Sequence, residues 1–223
     1  MRPLLAAFAP LALGVLVAAA PAIDWTQTAN VTPKGAFVLG NPAAPLKLVE
    51  YGSYTCSHCA AFSKESEAVL KGRMIRSGKV SLEYRHLIHD PLDLAAAILA
   101  RCTGRRGFFP TSAMIFATQE TWLAKAPAFA QAHSELAGKP GIVQARVLAD
   151  GVGLTQAVRA RGLTPAQINA CFADKAAVAR ITAMTGDAPI EVNSTPTFYI
   201  NNELQPPMAW AQLEPVLTGR GAK

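Results

Sequence analysis

Apolar and polar positions change their spacing several times along the chain, and each change marks an element. Residues 46–51 read Leu-Lys-Leu-Val-Glu-Tyr, a nearly unbroken apolar run of strand length, which predicts a buried β-strand. Gly52 to Thr55 supplies a turn, and residues 60–77 then follow a helical period. Helical character continues from Leu87 to Pro189, carried by sets such as Leu94, Ile98 and Leu99 or Met114 and Ile115. Breaks are predicted at Gly104-Arg105-Arg106-Gly107, Gly138-Lys139-Pro140-Gly141 and Gly162-Leu163-Thr164-Pro165, which sets two of the helices over residues 92–102 and 164–174. A β-type run, Thr197 to Ile200, follows, then Asn201-Asn202 as a hairpin turn and a last helix over residues 210–217.

The first twenty-two residues have a different pattern. One cation, Arg2, precedes an apolar run from Leu4 to Ala20 that ends in Ala20-Pro21-Ala22. That layout predicts a signal peptide over residues 1–22 with cleavage before Ile23, and hence export to the periplasm. An uncleaved membrane anchor is the competing reading, since the run approaches spanning length. No second run of that kind follows Asp24.

The chain has 223 residues, 51% of them hydrophobic, enough for one core that carries a large insertion. Its net charge of +6 is spread over clusters such as Lys71, Arg73, Arg76 and Arg101, Arg105, Arg106. These lie in helix-like segments without interleaved aromatics or a recognition motif, so nucleic acid is not an expected partner.

The four cysteines are the main chemical signal. Cys56-Ser57-His58-Cys59 sits where the strand-like run turns into a helix. The first cysteine of such a turn meets unpaired helix N–H groups and the positive end of the helix dipole, which favour a thiolate. Cys56 is therefore the expected nucleophile and Cys59, one turn further in, the resolving thiol. Ser57 and His58 lie between them and are expected to tune the pair, His58 by stabilising the thiolate. Half of a zinc site, a purely structural disulfide and chance spacing remain as alternatives; no second C-x-x-C or H-x-x-x-H stands at ligand spacing, so no metal is expected. Glu50, six residues before Cys56 in an otherwise apolar run, is expected beneath the sulfurs with a raised pKa, suited to exchanging a proton with Cys59. The alternative is a solvated Glu at an exposed strand end.

Near the C-terminus, Asn193-Ser194-Thr195-Pro196-Thr197-Phe198-Tyr199-Ile200 places a proline directly before a strand. With the C-x-x-C after the first long strand, the Asn-Asn turn and the last helix, the chain resembles the thioredoxin superfamily. The helical block between the two motifs, together with Gly40-Asn41-Pro42-Ala43-Ala44-Pro45 and Tyr51-Gly52-Ser53-Tyr54-Thr55-Cys56, is similar to its DsbA-like branch. The resemblance runs from about Thr32 to Leu217.

It implies an α/β, thioredoxin-like fold in two segments, residues 32–90 and 188–219, with an all-helical insertion over residues 91–187. It implies a cis Pro196 packed against the redox pair and a Thr195 that offers backbone hydrogen bonds to a substrate strand. Cys102 and Cys171 would form a structural disulfide inside the insertion, as some relatives do; two free thiols or a second redox relay are the alternatives. The implied function is a thiol:disulfide oxidase acting on unfolded or reduced exported proteins, monomeric, without a cofactor, and reoxidised by a membrane DsbB-type partner. Ser-His in place of the usual Pro-His, and Thr195 where the best-known oxidases have Val, leave an isomerase or reductase open. A non-enzymatic, chaperone-like binding module is the alternative from a different class.

Overall fold

A computed structural model describes residues 23–222, so the signal-peptide reading of residues 1–22 lies outside the described residues. Strands β1 (Ala29–Val31) and β2 (Phe37–Gly40) form an antiparallel pair at one sheet edge. The central strand β3 (Leu46–Gly52) is buried at all but one position, as expected of a strand covered on both faces. Side chains alternate along it: Leu46 and Leu48 join the main core, while Val49 and Tyr51 join a smaller cluster with Leu87 and Val192 on the opposite face. Glu50 therefore points into the main core, on the side where helix α1 (Ser57–Ser66) packs.

Helix α1 begins three residues earlier than its apolar period suggests, because Cys56 takes extended backbone and serves as its N-cap residue. The helix runs on as a wider π-helical stretch, Glu67–Ile75, and the chain turns at Gly78 into β4 (Val80–His86). β4 lies parallel to β3 and antiparallel to β2.

Eight α-helices and one short 3-10 helix, Ser134–Leu136, separate β4 from β5 (Thr197–Ile200). The first, α2 (Pro91–Cys102), is buried along residues 92–100 and packs against most of the helices that follow. Asp90 caps it, its carboxylate accepting from the Leu92 and Asp93 N–H groups at 2.8 and 2.9 Å, with Pro91 in the first turn, where no intrahelical N–H is needed. Helix α3 (Gly104–Ala117) follows almost at once. The predicted break over residues 104–107 is thus narrower than expected: Gly104 alone takes the left-handed conformation, φ +69°, and Arg105, Arg106 and Gly107 already belong to α3. Then come α4 (Gln119–Leu123), α5 (Ala126–Ala132), α6 (Gly141–Gly151), α7 (Leu154–Arg159), α8 (Pro165–Ala173) and α9 (Lys175–Gly186).

β5 returns antiparallel to β3 and turns through Asn201 and Asn202, φ +50° and +69°, into β6 (Glu203–Leu204). Two left-handed residues suit a tight hairpin, and asparagine tolerates that conformation. The sheet order is β1-β2-β4-β3-β5-β6, closed by helix α10 (Trp210–Gly219). No helix of the described residues is long and apolar enough to cross a membrane.

Candidate functional site

β3 ends and α1 begins at the middle of the sheet, so the turn between them carries Cys56 to the protein surface. The Cys56 sulfur is half-buried and that of Cys59 is fully buried. Both are free thiols. The Cys56 thiol is lowered to about 5: the Cys59 S–H donates to its sulfur, the Thr195 side chain and the backbone N–H groups of Cys59 and His58 add to this, and partial burial opposes it. Cys59 moves the other way. Its proton is held by the bond to Cys56, it is buried, and the Glu50 carboxylate opposes its charge once ionised, so its thiol stays protonated far above the ordinary range. One thiol is made acidic at the other's expense.

Glu50 is 4% exposed, and its Oε1 has no hydrogen-bond partner among the described residues. Burial first, then the charge of Cys56, pushes its carboxyl up to about 8. At neutral pH it holds its proton and can give it to a thiolate leaving at Cys59.

The Thr195–Pro196 peptide bond is cis. It brings the Thr195 carbonyl within 3.2 Å of the Cys56 sulfur, which donates to it when protonated; the Thr195 side chain instead favours the thiolate. Beside this contact runs a groove of about 530 Å³ lined by His58, Phe62, Thr195, Pro196, Met208 and Trp210, among others. His58 enters the site in two ways: its backbone N–H serves the Cys56 thiolate and its exposed ring lines the groove. Ser57 is exposed in the first turn of α1.

Several residues of the site carry no signal in the sequence. Gln119 of α4 donates its amide to the carbonyls of Tyr54 at 2.7 Å and Cys56 at 2.9 Å. Asp93 of α2 accepts from the Tyr54 N–H at 2.8 Å, Asp90 accepts from the Thr55 hydroxyl at 3.0 Å, and the Tyr54 hydroxyl bonds Ser112 at 2.6 Å. Burial raises the Asp93 carboxyl to about 6. The helical insertion thereby fixes the backbone that presents the cysteines. Cys102 and Cys171 are not part of this site: their sulfurs are bonded, Cα atoms 5.8 Å apart, tying the end of α2 to α8. Among the described residues, no group of three His, Cys, Asp or Glu side chains is arranged to hold a metal ion.

Comparison with known proteins shows the family. The sequence matches the family described as Thioredoxin over residues 32–218. A protein of Rickettsia conorii with the provisional name protein-disulfide oxidoreductase is 29% identical over 185 residues, covering 81% of this chain and 58% of the relative. A counterpart in Rickettsia typhi is 30% identical over 168 residues, covering 74% and 54%. The chain thus spans a little over half the length of these curated relatives. Among solved structures, a protein-disulfide isomerase from Novosphingobium aromaticivorans superposes with a TM-score of 0.77 at 31% identity, covering 82% of this chain and 95% of the other. Wolbachia pipientis α-DsbA1 shares the fold at a TM-score of 0.67 and 22% identity, covering 85% and 92%. The chain belongs to the thioredoxin family and carries the DsbA-like form of its fold, with a helical insertion between β4 and β5.

Proposed function

We propose that the chain is an exported, periplasmic thiol:disulfide oxidoreductase that donates a Cys56–Cys59 disulfide to folding proteins. The observation that carries this reading is the opposed acidity of the two thiols: an accessible Cys56 lowered to about 5 beside a buried Cys59 that keeps its proton. A dithiol stabilised in this way makes its disulfide a strong oxidant.

In the proposed exchange, a substrate thiolate attacks the Cys56 sulfur of the oxidised enzyme. The Cys56–Cys59 bond breaks, a substrate–Cys56 mixed disulfide forms, and the leaving Cys59 thiolate takes the proton of Glu50. The substrate's second thiolate then attacks its own sulfur in the mixed disulfide, releasing the oxidised product and the Cys56 thiolate. Meanwhile the peptide lies in the groove, extended along Thr195. Residues 32–90 and 188–219 serve as the redox unit and residues 91–187 as the helical cover. Reoxidation falls to a membrane DsbB-type partner, and the enzyme acts as a monomer. The Cys102–Cys171 bond and the leader-like residues 1–22 support an oxidising, extracytoplasmic location.

Equilibration with glutathione tests the reading. The expected potential lies well above the roughly −270 mV of thioredoxin, toward the roughly −120 mV of DsbA. A potential at or below thioredoxin's eliminates the oxidase. Thr195 before Pro196, and the 31%-identical relative named an isomerase, favour isomerase action as the second reading. Oxidation of a reduced substrate and rescue of a scrambled one, run side by side, separate the two. Activity that survives Cys56→Ala favours a binding module instead.

A further inference from the structure

The groove beside the redox pair differs in charge from the rest of the protein. The chain carries 21 lysines and arginines against 15 aspartates and glutamates. Yet among the described residues that line the groove none is lysine or arginine, and Glu65 is the one carboxylate. Helix α1 presents His58, Ala61, Phe62 and Glu65 to it, an i, i+3, i+4, i+7 stripe that leads down one face of the helix away from Cys56. Phe62 is buried and meets the buried Trp210 of α10 edge-on, ring centroids 6.0 Å apart, so the floor between the two ends of the stripe is apolar.

Glu65 is exposed and enters no ion pair among the described residues. Its own helix offers it no cation: the positions three and four away hold Ala61, Phe62, Ala68 and Val69. Glu67, two residues on, is by contrast matched by Lys71 at 2.8 Å. Lys64 adjoins Glu65 in sequence but stands about 100° round the helix and does not line the groove. The far end of the groove therefore holds an unpaired negative charge beyond an apolar floor.

We infer that Glu65 is a specificity-determining residue, which selects substrate segments carrying a lysine or arginine four residues from the cysteine that attacks Cys56. The inference rests on the exchange and the peptide placement proposed above. Nine positions separate Cys56 from Glu65, about 13.5 Å along a helix axis. An extended peptide covers that distance in about four residues, at roughly 3.3 Å each. Strand alternation leads independently to the same position: the second and fourth residues from the reacting cysteine point to its side, toward α1, and the odd ones point away. The second residue lies over Phe62 and Trp210, where an apolar side chain fits. The fourth reaches Glu65, and a lysine or arginine there lays its methylenes on the apolar floor and its charge at the carboxylate. Glu65 acts on capture of the peptide alone; the bonds made and broken in the exchange stay as described.

Single-cysteine peptides test it. They carry arginine or glutamine at the fourth residue from the cysteine, or arginine at the third, placed before the cysteine in one set and after it in another. Each is mixed with the oxidised protein, and the rate constant of mixed-disulfide formation is read by acid quenching and mass spectrometry. On one side of the cysteine, arginine at the fourth residue should react about fivefold faster than glutamine, the upper end of what an exposed ion pair contributes. Arginine at the third residue, with the same net charge, should not match it. High salt should shrink the gain, Glu65→Gln should erase it, and Glu65→Lys should reverse it in favour of a peptide with glutamate at the fourth residue. Equal rates for the arginine and glutamine peptides with the parent, or a gain that survives Glu65→Gln, would overturn the assignment. If the parent shows no thiol exchange at all, the proposed function fails separately. Specificity is then decided by equilibrium binding of the same peptides with serine in place of cysteine: tighter binding of the fourth-residue arginine peptide that is lost in Glu65→Gln upholds it, and equal affinities in the parent overturn it.

Discussion

The Gln119 amide donates to the carbonyl of Cys56 at 2.9 Å and, 2.7 Å away, to that of Tyr54, so a single side chain of α4 holds both ends of the turn that presents the redox pair. The helical insertion is therefore a structural part of the site. Asp90 and Asp93 at the start of α2 hold the same turn through Thr55 and the Tyr54 N–H. An acidic thiol needs its N–H donors kept in place, and much of that placement comes from helices distant in sequence.

Gln119→Leu keeps the volume but removes the donor from two carbonyls, and a buried polar group left unpaired costs about 1–3 kcal/mol. The expected loss is about 2 kcal/mol, read as a lower urea midpoint at unchanged slope. Because the Cys56 backbone is released, thiolate absorbance should also titrate at a higher pH than in the parent. Gln119→Glu should not rescue either property, since a carboxylate brings an acceptor where donors are required.

Removing both cysteines of the Cys102–Cys171 bridge should act on stability alone. The bridge spans a sequence separation of 69, for which the chain-entropy estimate is about 4 kcal/mol. For a chain of this size that corresponds to a melting temperature roughly 8–16 °C lower. The Cys56 titration midpoint should not move, because Cys102 and Cys171 lie outside the site. A Cys102→Ala, Cys171→Ala variant with parent stability but altered exchange would point to the redox relay instead.

What the sequence made legible was local. The C-x-x-C stands where a strand pattern gives way to a helix pattern, and Glu50 is conspicuous as a charge inside an apolar run. The same period-two alternation that buries Leu46 and Leu48 explains why Glu50 faces α1. That Cys56 and Thr195, 139 positions apart, meet at 3.2 Å was not legible from either segment; only the family resemblance joined them. Gln119, Asp93 and the groove residues Met208 and Trp210 had no local signal, because a polar or aromatic residue in a helix or strand pattern shows its partner only once the elements are packed. Gly104-Arg105-Arg106-Gly107 looked like a four-residue break because two glycines flank two charges. One left-handed glycine is enough to turn the chain, and Arg105 and Arg106 continue into α3. His58 was read through its ring, yet its contribution to the thiolate comes from its backbone N–H, which any residue but proline supplies there.

Glu50 gives a pH dependence of stability with a definite sign. Its folded value of about 8 lies above the ordinary 4.5, so between those limits the folded protein binds more protons than the unfolded chain. Stability from this group is fully present below pH 4.5 and falls as pH rises through 8. Glu50→Gln removes the titration, so the variant should gain on the reduced parent as pH rises across that window, by up to about 5 kcal/mol at its upper end. Urea unfolding at pH 5, 7 and 9 under reducing conditions checks this. A difference between parent and variant that stays flat over the three pH values would mean that the carboxyl ionises normally.

Thr195 tests how far the proline-side residue sets the acidity of Cys56. Its side chain stabilises the thiolate, while its main-chain carbonyl accepts from the thiol at 3.2 Å. Thr195→Val keeps the branched shape and the carbonyl and removes only the hydroxyl. A hydrogen bond of about 1 kcal/mol corresponds to roughly 0.7 pK unit, so Cys56 should titrate by about that much higher, and the pair should become less oxidising. Because Cys56 is lowered in the folded protein, the stability its thiolate gives the reduced form is present above the unfolded thiol value and lost as pH falls through about 5. In Thr195→Val that loss should begin at the same pH, end at a higher one and be smaller by about 1 kcal/mol. Thiolate absorbance and reduced-state unfolding, followed over the same pH series, should shift together; a potential that changes while the titration midpoint does not would assign the effect of Thr195 to the disulfide form.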